Sequence, residues 1–192
     1  MQTQTKNVSE FGNLVVCAIR HCNNRVDDVP KQVIEAVKKN WYLISKNDRI
    51  IVKKDVAYTV DNKFVGMEFD VKRWISFYDW IIEHQEDKVS KEPIAEAFGL
   101  GILTINAIRY CFGRMSYMPS LITDATKHNW SFISNEDKTV ILKDLAEAFQ
   151  SGRSMGDRCD RRNWVNFHNW VIDWVEGEIP KQFNQEVLKG QE

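Results

Sequence analysis

The residues best suited to chemistry are arginines gathered in two polar segments. The first reads Ile108-Arg109-Tyr110-Cys111-Phe112-Gly113-Arg114-Met115-Ser116-Tyr117-Met118-Pro119. Gly113 suits a left-handed residue that ends a helix, which would display Arg114, Ser116 and Tyr117 on an exposed turn. The second segment, Gly152-Arg-Ser-Met-Gly-Asp-Arg-Cys-Asp-Arg-Arg162, is rich in glycine and carries four arginines past Asp160, a residue suited to cap a helix. Arg109, Tyr110, Arg114, Ser116, Tyr117, Arg153, Arg158 and Arg162 would together offer guanidinium forks, a hydroxyl, phenols and loop amides. That set fits an anionic, nucleotide-like ligand, because arginine bonds oxyanions bidentately and a helix N-terminus favours negative charge.

Catalysis finds no comparable support. His21, His84, His128 and His168 are scattered, and none belongs to a nucleophile or HExxH arrangement. No P-loop, GxGxxG or paired-carboxylate motif is present. Cys17, Cys22, Cys111 and Cys159 form no CxxC pair and have no histidine at zinc-ligand spacing, so they read as small buried residues. The expectation is a binding protein, not an enzyme, with no catalytic residue, metal or cofactor.

Charge narrows the partners. The chain carries 26 basic and 27 acidic side chains, against the basic stripe of a duplex-binding protein and the acidic excess of a DNA mimic. A local basic pocket remains compatible with that balance, since net charge averages over faces. The first residues lack the apolar core of a signal peptide, and no apolar run approaches the roughly 18 residues of a membrane span. A soluble, cytoplasmic protein is expected.

The elements that must position these arginines are written twice. Leu14-Val-Val-Cys-Ala-Ile-Arg-His-Cys22 aligns with Leu103-Thr-Ile-Asn-Ala-Ile-Arg-Tyr-Cys111. The match continues without a gap through Arg25/Arg114, Pro30/Pro119, Asn40-Trp41/Asn129-Trp130, Asp48/Asp137, Lys54-Asp55/Lys143-Asp144 and Ala57/Ala146. After one inserted residue it resumes at Gly66/Gly156, Asp70/Asp160, Trp74/Trp164, Phe77/Phe167 and Trp80/Trp170. Roughly four positions in ten are identical over the ungapped part, and their collinear order marks an internal duplication.

Each copy is expected to hold four helices, giving an all-α protein of two tandem diverged four-helix modules packed as a pseudo-twofold pair. The modules would span 8–88 and 89–176, followed by a polar tail, 177–192. The first helix is expected over about Glu10–Arg25 and Glu92–Phe112, the second from Pro30 or Pro119 to the Asn-Trp pair. Ser45-Lys-Asn-Asp48 and Ser134-Asn-Glu-Asp137 each place a capping serine three residues before a carboxylate, which starts the third helix. The fourth would open at Asp70 or Asp160. Its stripe of Trp74, Phe77, Tyr78, Ile81 and Ile82, or Trp164, Phe167, His168, Val171 and Ile172, is a core face.

Comparing copies separates framework from function. Arg20/Arg109, Arg25/Arg114 and Asp70/Asp160 occur in both, so a structural role competes with the ligand role: the arginines would pair with the aspartate and pin the first helix to the fourth. Trp80, Trp170 and Trp174 lie off the stripe's centre and suit a contact between modules or subunits, where aromatics are enriched. Copy one has Asn24, Asp27 and Asp28 where copy two has Gly113, Ser116 and Tyr117.

Ala107-Ile-Arg-Tyr-Cys-Phe-Gly-Arg-Met-Ser-Tyr117, with Gly156-Asp-Arg-Cys-Asp-Arg-Arg-Asn-Trp164 beyond it, resembles a group of small bacteriophage and prophage proteins. Their module has the form A-[IL]-R-Y-x-x-G-R-x-[ST]-Y … D-x-x-W. Copy two matches nearly throughout; copy one matches at Ala18-Ile19-Arg20, Arg25, Asp70 and Trp74 only, as the degenerate half. The resemblance implies no activity but does imply a source, a phage accessory gene acting inside the infected bacterium. The resulting expectation is a non-catalytic antagonist of a host system, antiviral immunity first, that sequesters a nucleotide-type signal or occludes a host protein. A nucleic-acid-associated role in phage replication or regulation is the alternative. Self-association of a single-copy relative would explain the duplication, and the chain could itself be a homo-oligomer.

Overall fold

Two runs of sequence are buried on every side, one wholly apolar and the other apolar but for Thr104 and Asn106, and such helices must be enclosed by others. From Leu14 to Ile19 every residue is buried, and the same holds from Leu103 to Ile108. They form α1 (Gln4–Cys22) and α5 (Leu100–Cys111), the equivalent first helices of the two copies, and these make the most extensive helix–helix packing in the molecule. The computed structural model describes residues 4–23, 29–61, 68–88, 98–112, 118–150 and 162–174. Among them there is no strand, so the fold is all-α as expected.

The remaining helices wrap the central pair. They are α2 (Val29–Lys39), α3 (Lys46–Asp61), α4 (Glu68–His84), α6 (Met118–Asn129), α7 (Asn135–Gln150) and α8 (162–174). α1 touches α2 and α3 of its own copy and α6 of the other; α5 touches α6, α7 and, across the copies, α2. One hydrophobic core contains residues from both copies.

Local chemistry sets the helix ends. A 3-10 turn, Trp41–Leu43 or Trp130–Phe132, leads to the capping serine. The Asp48 amide donates to Ser45 Oγ at 3.1 Å, and the Asp137 amide to Ser134 Oγ at 3.1 Å, so both expected caps form.

Two boundaries differ from expectation. Of the long helix expected over Glu92–Phe112, residues 92–97 lie outside the described residues; α5 starts at Leu100, directly after Gly99, whose φ of +65° is left-handed. A side chain there is disfavoured twice over, since a Cβ on Gly99 would also lie 2.9 Å from that of Ala36 on α2. Asp70 lies within the first turn of α4, which begins at Glu68, and therefore is not the residue before the helix.

Candidate functional site

Arg20 and Arg109 occupy equivalent places on α1 and α5 and do the same thing. Arg20 Nε donates to Asp55 Oδ2 at 2.7 Å and Nη2 to Oδ1 at 3.4 Å; Arg109 donates to Asp144 at 2.7 and 3.2 Å in the same pattern. Each fork ties the first helix of a copy to its third. The acid that meets Arg20 is thus Asp55, where Asp70 was expected, and the joint runs to α3 and not to the fourth helix. All four side chains are largely shielded, the most open being Arg109 at 32%. Burial works to lower the Arg20 pKa, but the hydrogen bond and charge of Asp55, with smaller contributions from Tyr110 and Cys17, raise it overall. Tyr110 is half-buried on α5, so its effect on Arg20 crosses from one copy to the other.

A second joint lies further up the same helices. A Cβ on Gly12 would sit 2.0 Å from Asp48 Oδ2, and one on Gly101 would sit 1.9 Å from Asp137 Oδ2. Only glycine lets the first turn of α3 or α7 press its aspartate against the neighbouring helix. Burial raises the Asp48 pKa, opposed by the 2.6 Å hydrogen bond it accepts from Ser45 Oγ. Gly12 and Gly101 are equivalent positions just outside the aligned run that begins at Leu14 and Leu103, so the repeat holds the signal for this joint.

The tryptophans build an aromatic corner in each copy. Trp41 meets Trp80 edge-to-face with ring centroids 5.5 Å apart, and Trp130 meets Trp170 in the same way at 5.5 Å. Trp80 also stacks on Phe77 and His84, while Trp170 stacks on Phe167. Trp174 meets Trp130 at 5.7 Å. These ring contacts of Trp80, Trp170 and Trp174, expected at a contact between modules or subunits, each fall inside one copy or the other. The packing between the copies centres on α1 and α5, whose buried residues include Thr104 and Asn106 beside aliphatic side chains. A polar latch adds to it: Asn40 donates from Nδ2 to the Phe98 carbonyl at 2.6 Å and accepts from the Phe98 amide at 3.0 Å.

The ligand set expected from the sequence is only partly in view. Arg109 is committed to Asp144, Tyr110 is half-buried near Arg20, and Arg162 is exposed at the start of α8. Arg25, Arg114, Ser116, Tyr117, Arg153, Arg158 and Asp160 lie outside the described residues, as does the side chain of Asp70. Among the described residues, no helix is long and apolar enough to cross a membrane, and no group of three or more His, Cys, Asp or Glu gathers to hold a metal ion. The described thiols of Cys17, Cys22 and Cys111 are buried.

Copy one carries a surface that the sequence did not single out, and it includes Ile82, expected on the core face of α4 but exposed because the buried face turns through Trp74, Phe77 and Ile81. Ile50, Tyr58, Ile75 and Ile82 are 43, 62, 41 and 45% exposed on α3 and α4. Copy two has Thr139, Glu147, Val165 and Ile172 at those places. Comparisons of the chain with protein families, curated proteins and solved structures give no match.

Proposed function

We propose that the chain is a fused pseudo-dimer of one helical module, and that it is a non-catalytic binding protein of bacteriophage origin. Equivalent helices α1 and α5 pack on each other, and the contact of α1 with α6 has its counterpart in that of α5 with α2. Reciprocity of this kind is the mark of a twofold interface. The modules are then scaffolds for each other, and function lies in what differs between them.

The proposed activity is antagonism of a host system, antiviral immunity first, by occluding a host protein. The observation that carries this choice is the duplicated Arg–Asp fork. Arg109 spends its guanidinium on Asp144 as Arg20 does on Asp55, and a cation used identically in the degenerate copy belongs to the framework. An anion site on copy two would lose its central fork, which places sequestration of a nucleotide-type signal second, resting on Arg162 and the segments around Arg114 and Arg153.

Expression in bacteria carrying defined defence systems tests the activity. Plating efficiency of a sensitive phage should rise with the wild-type chain and fall back with Arg114→Ala combined with Tyr117→Ala, while Asp55→Ala acts only through stability. Pull-down of the relieved system's effector, beside titration with cyclic nucleotides, separates the two modes. No relief against any system overturns the reading. A strongly salt-dependent shift of DNA or RNA would favour the nucleic-acid role instead.

A further inference from the structure

We propose that the outer face of the α3–α4 hairpin in copy one is a self-association surface, on which a second copy of this chain docks. It concerns a different face from the copy-two segments of the proposed function and holds whatever the host target is.

Two stripes define the face. On α3, Ile50, Lys54 and Tyr58 follow at four-residue spacing; on α4, Ile75, Asp79 and Ile82 follow at helical spacing, with Glu86 in the turn just past its end at His84, and all seven are exposed. The helices run antiparallel, because Arg49 reaches the Asp87 carbonyl while Lys53, a turn later on α3, bonds Gln85 Oε1 at 2.7 Å. That bond also fixes the level of one helix against the other: Lys54 lies beside the end of α4, and Tyr58 lies beside its middle.

The charge on the two stripes chooses the occupant. Among these seven residues, the α3 stripe carries one cation, Lys54, and the α4 stripe carries the carboxylates Asp79 and Glu86. A twofold axis parallel to the helices lays α3 of one copy over α4 of the other at the same level, forming a four-helix bundle. Lys54 then meets Glu86 of the second copy, and Tyr58 meets the stretch from Asp79 to Ile82, with both relations repeated by symmetry. Isoleucines in the middle of such a face need cover, since soluble chains rarely expose several large apolar groups together. The acidic stripe disfavours a nucleic acid there.

Copy two keeps part of this face, with Ile172, Lys143 and Glu176 where copy one has Ile82, Lys54 and Glu86, and Val165 37% exposed at the Ile75 place, but it loses three members. Glu147 replaces Tyr58 and pairs within its own helix to Lys143, the counterpart of Lys54, at 3.9 Å. Thr139 replaces Ile50, and Asn169 replaces Asp79. Tyr58, Ile50 and Asp79 are the members found in copy one alone.

Sedimentation equilibrium of the full chain over a wide concentration range tests the proposal, with circular dichroism on every variant. The wild type should show a concentration-dependent dimer. Ile82→Asp and Tyr58→Asp should each raise its dissociation constant about tenfold or more. Should Ile82→Asp not fold, Ile75→Asp is read in its place. Lys54→Glu and Glu86→Lys should each weaken the dimer, and the two together in one chain should restore it. Val165→Asp, the copy-two equivalent of an Ile75 change, should leave it unaltered. A monomer at all concentrations overturns the proposal. A dimer indifferent to Ile82→Asp and Tyr58→Asp overturns the assigned face. Failure of the double charge reversal to restore the dimer overturns the pairing of α3 with α4.

Discussion

The same corner is built with different chemistry in the two copies. In copy one, Arg49 is 1% exposed and donates to the Trp41 carbonyl from Nε at 3.2 Å and Nη2 at 2.7 Å, and from Nη1 to the Asp87 carbonyl. The Trp41 indole donates to the His84 carbonyl at 2.8 Å. In copy two the equivalent residue is Lys138, whose Nζ lies 4.1 Å from the Trp174 ring centroid and 5.6 Å from that of Trp130. The buried Nε1 of Trp130 meets no acceptor among the described residues. Copy one thus closes its hairpin with directional hydrogen bonds, while the contacts of Lys138 with the rings are less directional. Duplication has kept the cation and the ring, with guanidinium hydrogen bonds in one copy and ammonium–ring contacts in the other.

Removing the cation should separate the copies most. Arg49→Leu removes the hydrogen bonds that a buried guanidinium makes to the Trp41 and Asp87 carbonyls and should cost about 2–3 kcal/mol. Lys138→Leu keeps much of the aliphatic contact and should cost about 1 kcal/mol or less, both read from urea unfolding. Equal losses would refute the contrast.

Where the copies share a device, they should respond alike. Gly12→Ala and Gly101→Ala each force a methyl onto an aspartate, and even its Cβ would be only 2.9 or 2.7 Å away. Each should cost about 1–3 kcal/mol by overpacking. A clear inequality would show that one copy's first helix can shift away from its partner.

Smaller effects follow at the forks. Asp55→Ala and Asp144→Ala should each cost about 1 kcal/mol, after allowing for the solvent that reaches these pairs. Double-mutant cycles with Arg20→Ala and Arg109→Ala would measure each coupling. A much weaker coupling at Arg109–Asp144 would return Arg109 to the set of ligand candidates.

The smallest prediction concerns pH. Burial raises the Asp48 pKa above its ordinary value, so the folded state binds that proton more readily than the unfolded one. Its contribution to stability therefore rises as pH falls through the folded pKa and levels off below the unfolded pKa. Stability of Asp48→Asn relative to wild type should be greatest at neutral pH and decline through the carboxylate range. An unchanged difference across that range would refute the sign.

Short-range signals were legible in the sequence. Ser45 and Ser134 were readable as caps because a cap and its amide lie three residues apart, and the Trp74 and Trp164 stripes because helical spacing is periodic. The partner of Arg20 was not, because Asp55 lies 35 residues away and several aspartates kept by both copies could have filled the role. The start of α5 directly after Gly99 escaped notice because one left-handed residue does not disturb the apolar pattern around it. The Trp41 ring that meets Trp80 is not readable from the stripe, because a ring off its centre can turn either to a neighbour in its own module or outward.

The enclosure of α1 has a consequence for how the chain is made. Its residues from Leu14 to Ile19 are at most 4% exposed, and much of what covers them belongs to α5 and α6, synthesised much later. A ribosome adds about 5–20 residues per second, so that surface waits several seconds for its cover. During that time the nascent first half presents an uncovered apolar helix, a target for chaperones and a hazard for premature pairing between neighbouring nascent chains. Translation speed across the second half thereby becomes a determinant of yield.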